Sequence, residues 1–175
     1  MIQPKDIDEY GRVNWWQVTE TELTGRAEPR WLEPGDVIFR MNGKANLATY
    51  IDRVEVPGLV VCSHQFFHLK LLVDDVAPEY LAWFINTPEC QEAIARRKQQ
   101  AGIGPVVNKG MLSDLDLVLI DKSIQCQVVD MWHEYLAERR LLENKIACLE
   151  SAYRVKLREH PYFSGAAGGA QNTSR

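Results

Sequence analysis

Several things are scarce in this 175-residue sequence, and each scarcity excludes something. No apolar run approaches the ~18 residues that a spanning helix needs, so no membrane segment is expected. The opening Met1-Ile2-Gln3-Pro4-Lys5-Asp6 has neither the basic start nor the apolar stretch of a secretory signal, which makes the cytoplasm the expected compartment. The four cysteines, Cys62, Cys90, Cys126 and Cys148, form no C-x-x-C pair and read as reduced thiols rather than a disulfide framework. There is no excess of positive charge: 20 Lys and Arg stand against 24 Asp and Glu, a net charge of −4. A strongly basic nucleic-acid domain is thereby excluded, although one basic face can coexist with acidic surface elsewhere. The sequence also lacks a nucleophile elbow, a P-loop, a G-x-G-x-x-G turn and an H-E-x-x-H pair. The expectation is therefore a non-enzyme with no cofactor.

What is present is ordinary globular material, 46% hydrophobic and 25% charged, enough for one compact domain with an appendage. Residues 1–56 are rich in turns, with short strand-like pieces such as Arg12-Val13-Asn14-Trp15-Trp16. Pro34-Gly35-Asp36 predicts a turn, and Val37-Ile38-Phe39-Arg40-Met41 a buried strand. Pro57-Gly58 precedes an apolar extended run from Leu59 to Leu72, and Leu115–Ile120 reads as a further strand. Leu81, Phe84 and Ile85 make a helical stripe. Thr87-Pro88-Glu89 then restarts a helix that runs to about Gln100, with Thr87 as cap. Ala101-Gly102-Ile103-Gly104-Pro105 breaks it.

The last third carries a heptad. Val128, Tyr135, Leu142 and Leu149 recur every seven residues, and so do Trp132, Arg139, Ile146 and Tyr153, offset by four. Only Arg139 among them is neither apolar nor aromatic. That pattern predicts a helix roughly 45 Å long at ~1.5 Å per residue, whose seam needs a partner helix. No second helix of that length is visible in the sequence, so another molecule is the expected partner. Arg139 fits either a register-setting seam residue or a salt bridge to a partner carboxylate. His160-Pro161 ends the helix, and the small, polar stretch after it reads as a disordered tail. The expected organisation is a domain over 1–122, a long helix over 123–160 and a tail over 161–175.

The order of these parts resembles the DNA-specificity (S) subunit of type I restriction–modification systems. Pro34-Gly35-Asp36-Val37-Ile38-Phe39-Arg40 looks like the "L-x-P-G-D-[IV]-[LV]-F" strand of its target recognition domain. Tyr80-Leu81-Ala82-Trp83-Phe84-Ile85-Asn86-Thr87-Pro88 resembles the "Y-L-x-x-x-L-N-S-P" helix. Gln91-Glu92-Ala93-Ile94, a glycine-containing loop and Leu115-Asp116-Leu117 follow in family order, and Gln127-Val128-Val129 resembles the "E-Q-x-x-I-V" that opens the long helix. Gln3-Pro4-Lys5-Asp6-Ile7 looks like the interior of such a domain, so the expected module is N-terminally shortened. Typical members carry two recognition units and two long helices, and one of each is visible here.

The resemblance implies an α/β (α+β) fold, a target-recognition-like mixed sheet followed by a coiled-coil helix. It implies a scaffold that binds double-stranded DNA and positions a methyltransferase subunit, and a restriction subunit where there is one. Two copies joined through the C-terminal helix would make a homodimer. Candidate DNA-contacting residues are those with phosphate-neutralising or base-reading groups. Arg40, Asn42, Lys44 and Asn46 form one cluster, with an ordinary polar turn as the alternative. Arg96, Arg97, Lys98, Asn108 and Lys109 form another; between Ile94 and Gly110 lie four basic residues and no acidic one. Here the alternative is a solvated helix end. Cys62, His64 and His68 share one side of the extended run, but their spacing matches no closed metal site. Core histidines, or His64 and Gln65 facing DNA, account for them instead. The five tryptophans, Trp15, Trp16, Trp31, Trp83 and Trp132, read as core or interface anchors. A rival reading keeps the fold but not the DNA: an interaction adaptor.

Overall fold

The computed structural model describes residues 1–24, 28–43, 45–102, 104, 106–160 and 162. Lys44 and, apart from Tyr162, the expected tail at 161–175 lie outside them. The described elements are strands β1 (Val37–Arg40), β2 (Ala48–Tyr50) and β3 (Phe66–Leu69), then helices α1 (Pro78–Asn86), α2 (Pro88–Ala101), α3 (Lys109–Ser113) and α4 (Lys122–Glu159). Two single 3-10 turns, Pro4–Asp6 and Trp15–Gln17, precede them. The class is α+β, and the sheet is antiparallel rather than mixed, in the order β2-β1-β3.

The alternation of β1 explains the layering. Val37 and Phe39 point to one side, into a core with Ala82 and Ile85 of α1 and Cys90 and Ile94 of α2. Ile38 points to the other side, where Ile2, Leu32, Ile51, Val60 and Phe66 close a second core from the turn-rich segments. A strand covered on both faces reads as a continuous apolar run. Phe39 is 0% exposed, and truncating such a side chain to alanine costs about 3–5 kcal/mol.

Pro78 opens α1, and the Thr87 side chain accepts from the Cys90 N–H at the start of α2. Gly102 ends α2 in the left-handed region at φ 60°, where glycine carries no Cβ penalty. A third cluster joins Val76 and Tyr80 to Val129 at the start of α4, with Leu117 and Ile120 packed against it.

Three expectations need correction. Leu115–Ile120 forms no strand. Its Leu117 and Ile120 side chains pack against Val76 and Tyr80 instead, while Tyr80 Oη donates to the Val118 carbonyl at 2.8 Å. Of the long run Leu59–Leu72 only Phe66–Leu69 joins the sheet; Leu59 and Leu72 are 72% and 95% exposed. Trp16, expected as an anchor, is 81% exposed.

The chain divides into two compact units, Met1–Val129 and Asp130–Arg175. The boundary falls inside α4 rather than before it because Gln125 and Val129 are buried with the first unit. Among the described residues, no helix is long and apolar enough to cross a membrane.

Candidate nucleic-acid interface

One end of the sheet gathers three loops. β1 leaves it at Arg40, while β2 and β3 begin there. The Met41 N–H donates to the Gln65 carbonyl at 2.9 Å, and the Val107 N–H donates to the Met41 carbonyl at 2.9 Å. Asn42 and Val106 form a further bridge. Backbone pairing thus brings together the loop after β1, the loop before β3 and the loop between α2 and α3. Arg40, Asn42, Gln65 and Asn108, far apart in sequence, share this rim.

Charge is sorted as well. Residues 37–51, 56–73 and 93–113, the segments that build and flank the rim, contain none of the 24 carboxylates. They contain Arg40, Lys44, Lys70, Arg96, Arg97, Lys98 and Lys109. A net acidic chain therefore has three carboxylate-free segments that carry positive charge, and clustered positive charge attracts anions more than net charge suggests.

The expected contact residues divide sharply once their bonds are traced. Asn46 is 1% exposed. Its Nδ2 donates to the carbonyls of Arg40 and Met41 at 3.0 and 2.9 Å, and its Oδ1 accepts from Lys98 Nζ at 2.8 Å. Lys98 also donates to the Gly43 carbonyl at 3.3 Å. Asn46 and Lys98 are thus an internal brace that holds the turn after β1, not free readers of bases or phosphates. The ammonium sits in the last turn of α2, where a cation also opposes the negative end of the helix dipole. Arg97 is half-buried and donates through Nη2 to the Asp114 carbonyl, tying α2 to the end of α3. The Asn108 side chain accepts from the Met111 N–H at 2.9 Å as the cap of α3. The Gly102 N–H is spent on the Gln99 carbonyl at 3.3 Å and so is not offered to an anion.

Other groups remain available. Arg96, His64, Asn108 and Lys109 are exposed, and Gln65 is half-exposed. Arg40 Nε and Asn42 Oδ1 are sheltered and have no hydrogen-bond partner. A Cβ on Gly43, whose φ is 123°, would stand 3.0 Å from Arg40 Nη2, so this glycine lets the guanidinium lie against the turn.

Away from the rim, His68 Nε2 lies 2.9 Å from Asp36 Oδ2, with side-chain exposures of 5% and 10%. The contact lacks hydrogen-bond geometry. Asp36 also accepts from the Glu33 N–H at 2.8 Å, closing the Pro34-Gly35 turn. His68 is therefore a core histidine, whereas His64 is exposed. Burial pushes the Cys62 thiol up, with Asp36 adding to the effect, and burial likewise raises Cys90, which Arg97 partly offsets. Among the described residues, no three His, Cys, Asp or Glu side chains gather as a metal site.

Three amide side chains matter more than their sequence context suggests. Asn86 Oδ1 accepts from the Ala48 N–H and Asn86 Nδ2 donates to the Ala48 carbonyl, both at 2.8 Å. Gln91 makes the same double bond with the backbone of Asn46, at 3.1 and 3.0 Å. Together they stand in for a missing strand along the outer edge of β2. Gln125, 0% exposed, accepts from the Ala77 N–H at 2.8 Å and donates to the carbonyls of Asp75 and Ile120 at 2.7 and 2.8 Å, fixing the first turns of α4. The signal for all three was an amide at the end of an apolar helix face. Such a residue is as often a surface group, so only the packed structure distinguishes them.

On α4, Tyr135, Leu142, Ile146, Leu149 and Tyr153 are 48–64% exposed, and Arg139 is exposed too. Val128 and Trp132 are half-buried. Trp132 stacks on Tyr135 with ring centroids 5.2 Å apart. No protein-family model matches the chain, and no curated protein matches it.

Proposed function

We propose that this chain is a DNA-binding specificity module of a type I restriction–modification-like system, a scaffold that directs a partner methyltransferase to its site. The observation that carries the reading is the rim at one end of the sheet: three loops joined by backbone pairing, built and flanked by segments that hold Arg40, Arg96 and Lys109 and no carboxylate, in a chain of net charge −4. Lys and Arg there neutralise phosphates, while Asn42, His64, Gln65 and Arg40 supply groups of the kinds that read base edges. The motif order supports the same reading. Catalysis belongs to the partner subunits, and no cofactor enters the proposal.

The second half of the reading is that α4 pairs with another long helix. Its exposed heptad seam supports this, since an apolar stripe of that length is stable in water only when covered.

The interaction adaptor remains a second reading, favoured by the internal use of Asn46 and Lys98, which removes two contact candidates. Fluorescence anisotropy with a labelled random duplex at low salt tests between them. Binding that strengthens as salt falls is expected of the DNA module, and no binding at low salt leaves the adaptor. Arg96→Ala with Lys109→Ala is the informative variant, because Lys98 holds the fold.

A further inference from the structure

Two segments of the first unit lie together and leave apolar side chains in water. Residues 71–75 precede α1, and residues 116–121 precede α4. The start of α4 ties them to each other. Gln125 Nε2 donates to the carbonyls of Asp75 and Ile120 at 2.7 and 2.8 Å, and Lys122 Nζ donates to the Asp74 carbonyl at 3.0 Å. Leu71, Leu117 and Ile120 pack on Val76 and Tyr80. Leu72, Val73, Val118, Leu119 and Ile124 are instead 44–95% exposed. An open cavity of about 540 Å³ lies among Asp75, Leu119, Ile120, Asp121, Lys122 and Ile124. Single exposed aliphatic residues are ordinary, whereas a group of them beside a cavity marks an interaction surface.

The charge around this face selects its occupant. The two segments hold Asp74, Asp75, Asp116 and Asp121 and no Lys or Arg. Lys122 follows them, but its ammonium is turned onto the Asp74 carbonyl. The positive end of the α4 dipole amounts to about half a charge, well short of four carboxylates. DNA and an anionic membrane would each bring like charge. A second copy docking through the same face would set four carboxylates against four. We propose that this face docks a cationic amphipathic helix of a different protein, whose aliphatic side chains enter the cavity while its Lys or Arg side chains meet the four aspartates.

A helix fits better than an added strand, because strand addition needs free main-chain groups. The carbonyls of Asp74, Asp75, Val118 and Ile120 are already taken by the side chains of Lys122, Gln125 and Tyr80. Side-chain anchoring is what remains. Burial of the aliphatic groups supplies the affinity, and the aspartates set the sign of the partner and speed its approach. The inference goes beyond the function proposed above and rests on neither its DNA-contacting nor its helix-pairing half.

The test uses the full chain and a labelled peptide of ~14 residues, about four turns, with leucine at helical spacing and lysine elsewhere. A second peptide carries glutamate in place of lysine. Fluorescence anisotropy should show that the lysine peptide binds, more weakly as salt rises, and that the glutamate peptide does not. Leu72→Ser with Leu119→Ser should weaken binding by about tenfold or more, since burying one leucine already contributes that much. Asp74→Asn with Asp116→Asn should weaken it by about fivefold. Glu134→Gln with Glu150→Gln removes the same charge from exposed positions of α4 and should leave binding unchanged. All the substituted side chains are exposed, so each variant should melt at the parent midpoint. No binding of the lysine peptide, equal binding of the glutamate peptide, indifference to the leucine pair, or an equal loss from the α4 pair would each overturn the proposal. A lowered midpoint for Leu72→Ser with Leu119→Ser would overturn it by showing that these side chains hold the fold. Self-association of the parent that this pair abolishes would overturn it in favour of a second copy.

Discussion

Lys98 Nζ and Asn46 Oδ1 are 2.8 Å apart, and this bond joins the end of α2 to the turn that carries Arg40 and Asn42. Asn46 in turn holds the Arg40 and Met41 carbonyls and pairs its backbone with Gln91. The rim is therefore braced from behind by residues that contribute no charge to its outer face. Asn46→Ala strands the buried Lys98 bond and two carbonyls, and should lower stability by about 2–3 kcal/mol. Urea denaturation measures this, and a midpoint within error of the parent would contradict the brace.

Gly11 sits against the side-chain clamp at the edge of β2. A Cβ there would lie 2.6 Å from the Ala48 carbonyl oxygen and 2.8 Å from Asn86 Nδ2, and its φ is 78°. Gly11→Ala should therefore lose the clamp as well as suffer backbone strain, and should cost at least ~2 kcal/mol. Gly58→Ala is the control. Its φ of 85° brings comparable strain with nothing within 4 Å of the new atom, so it should be the milder change by thermal melt.

Gln125 satisfies three backbone groups from a fully buried position. Gln125→Leu preserves volume but leaves those groups unpaired, and should destabilise by about 2–4 kcal/mol. Loss of hydrogen-exchange protection at Ala77 and in the first turns of α4 would locate the damage. Unchanged protection there would refute the role.

Cys62, Cys90, Tyr50 and Tyr80 all have side chains whose neutral form burial favours. Their folded pKa values lie above the unfolded ones, so the unfolded chain loses protons first as pH rises. The associated stability is complete below the thiol value of 9.0 and the phenol value of 10.0, and is lost as pH climbs past each. Stability should thus fall above about pH 9 by this linkage. At neutral pH a maleimide should label Cys126 and Cys148 well before Cys62 and Cys90. Equal labelling rates would contradict the buried assignment.

How far the sequence told this in advance depended on the kind of signal. The turn at Pro34–Asp36, the strand from Val37, the Thr87 cap and the long helix were legible because each rests on local rules: fixed φ, alternation, capping and periodicity. Leu115–Ile120 was not, since whether an apolar run becomes a strand depends on its finding a sheet edge to pair with, and this one packs Leu117 and Ile120 against Val76 and Tyr80 instead. Asn46 and Lys98 had the composition of a contact site, but their bonds turn inward. That inward turn rests on a contact between residues 52 positions apart, for which one sequence carries no periodic signal. The heptad marked the long helix, yet Gln125 and Val129, just off the heptad positions, are what bury the start of α4.

The salt dependence of DNA binding tests the central claim most directly. For the parent chain the logarithm of the association constant should fall linearly with the logarithm of salt concentration. In the Arg96→Ala, Lys109→Ala double variant that slope should shrink by about 2, at ~0.9 per phosphate contact removed. Lys98→Met, whose ammonium bonds Gly43 and Asn46 rather than facing outward, should leave the slope unchanged. No binding at low salt, or a slope indifferent to Arg96 and Lys109, would contradict the account.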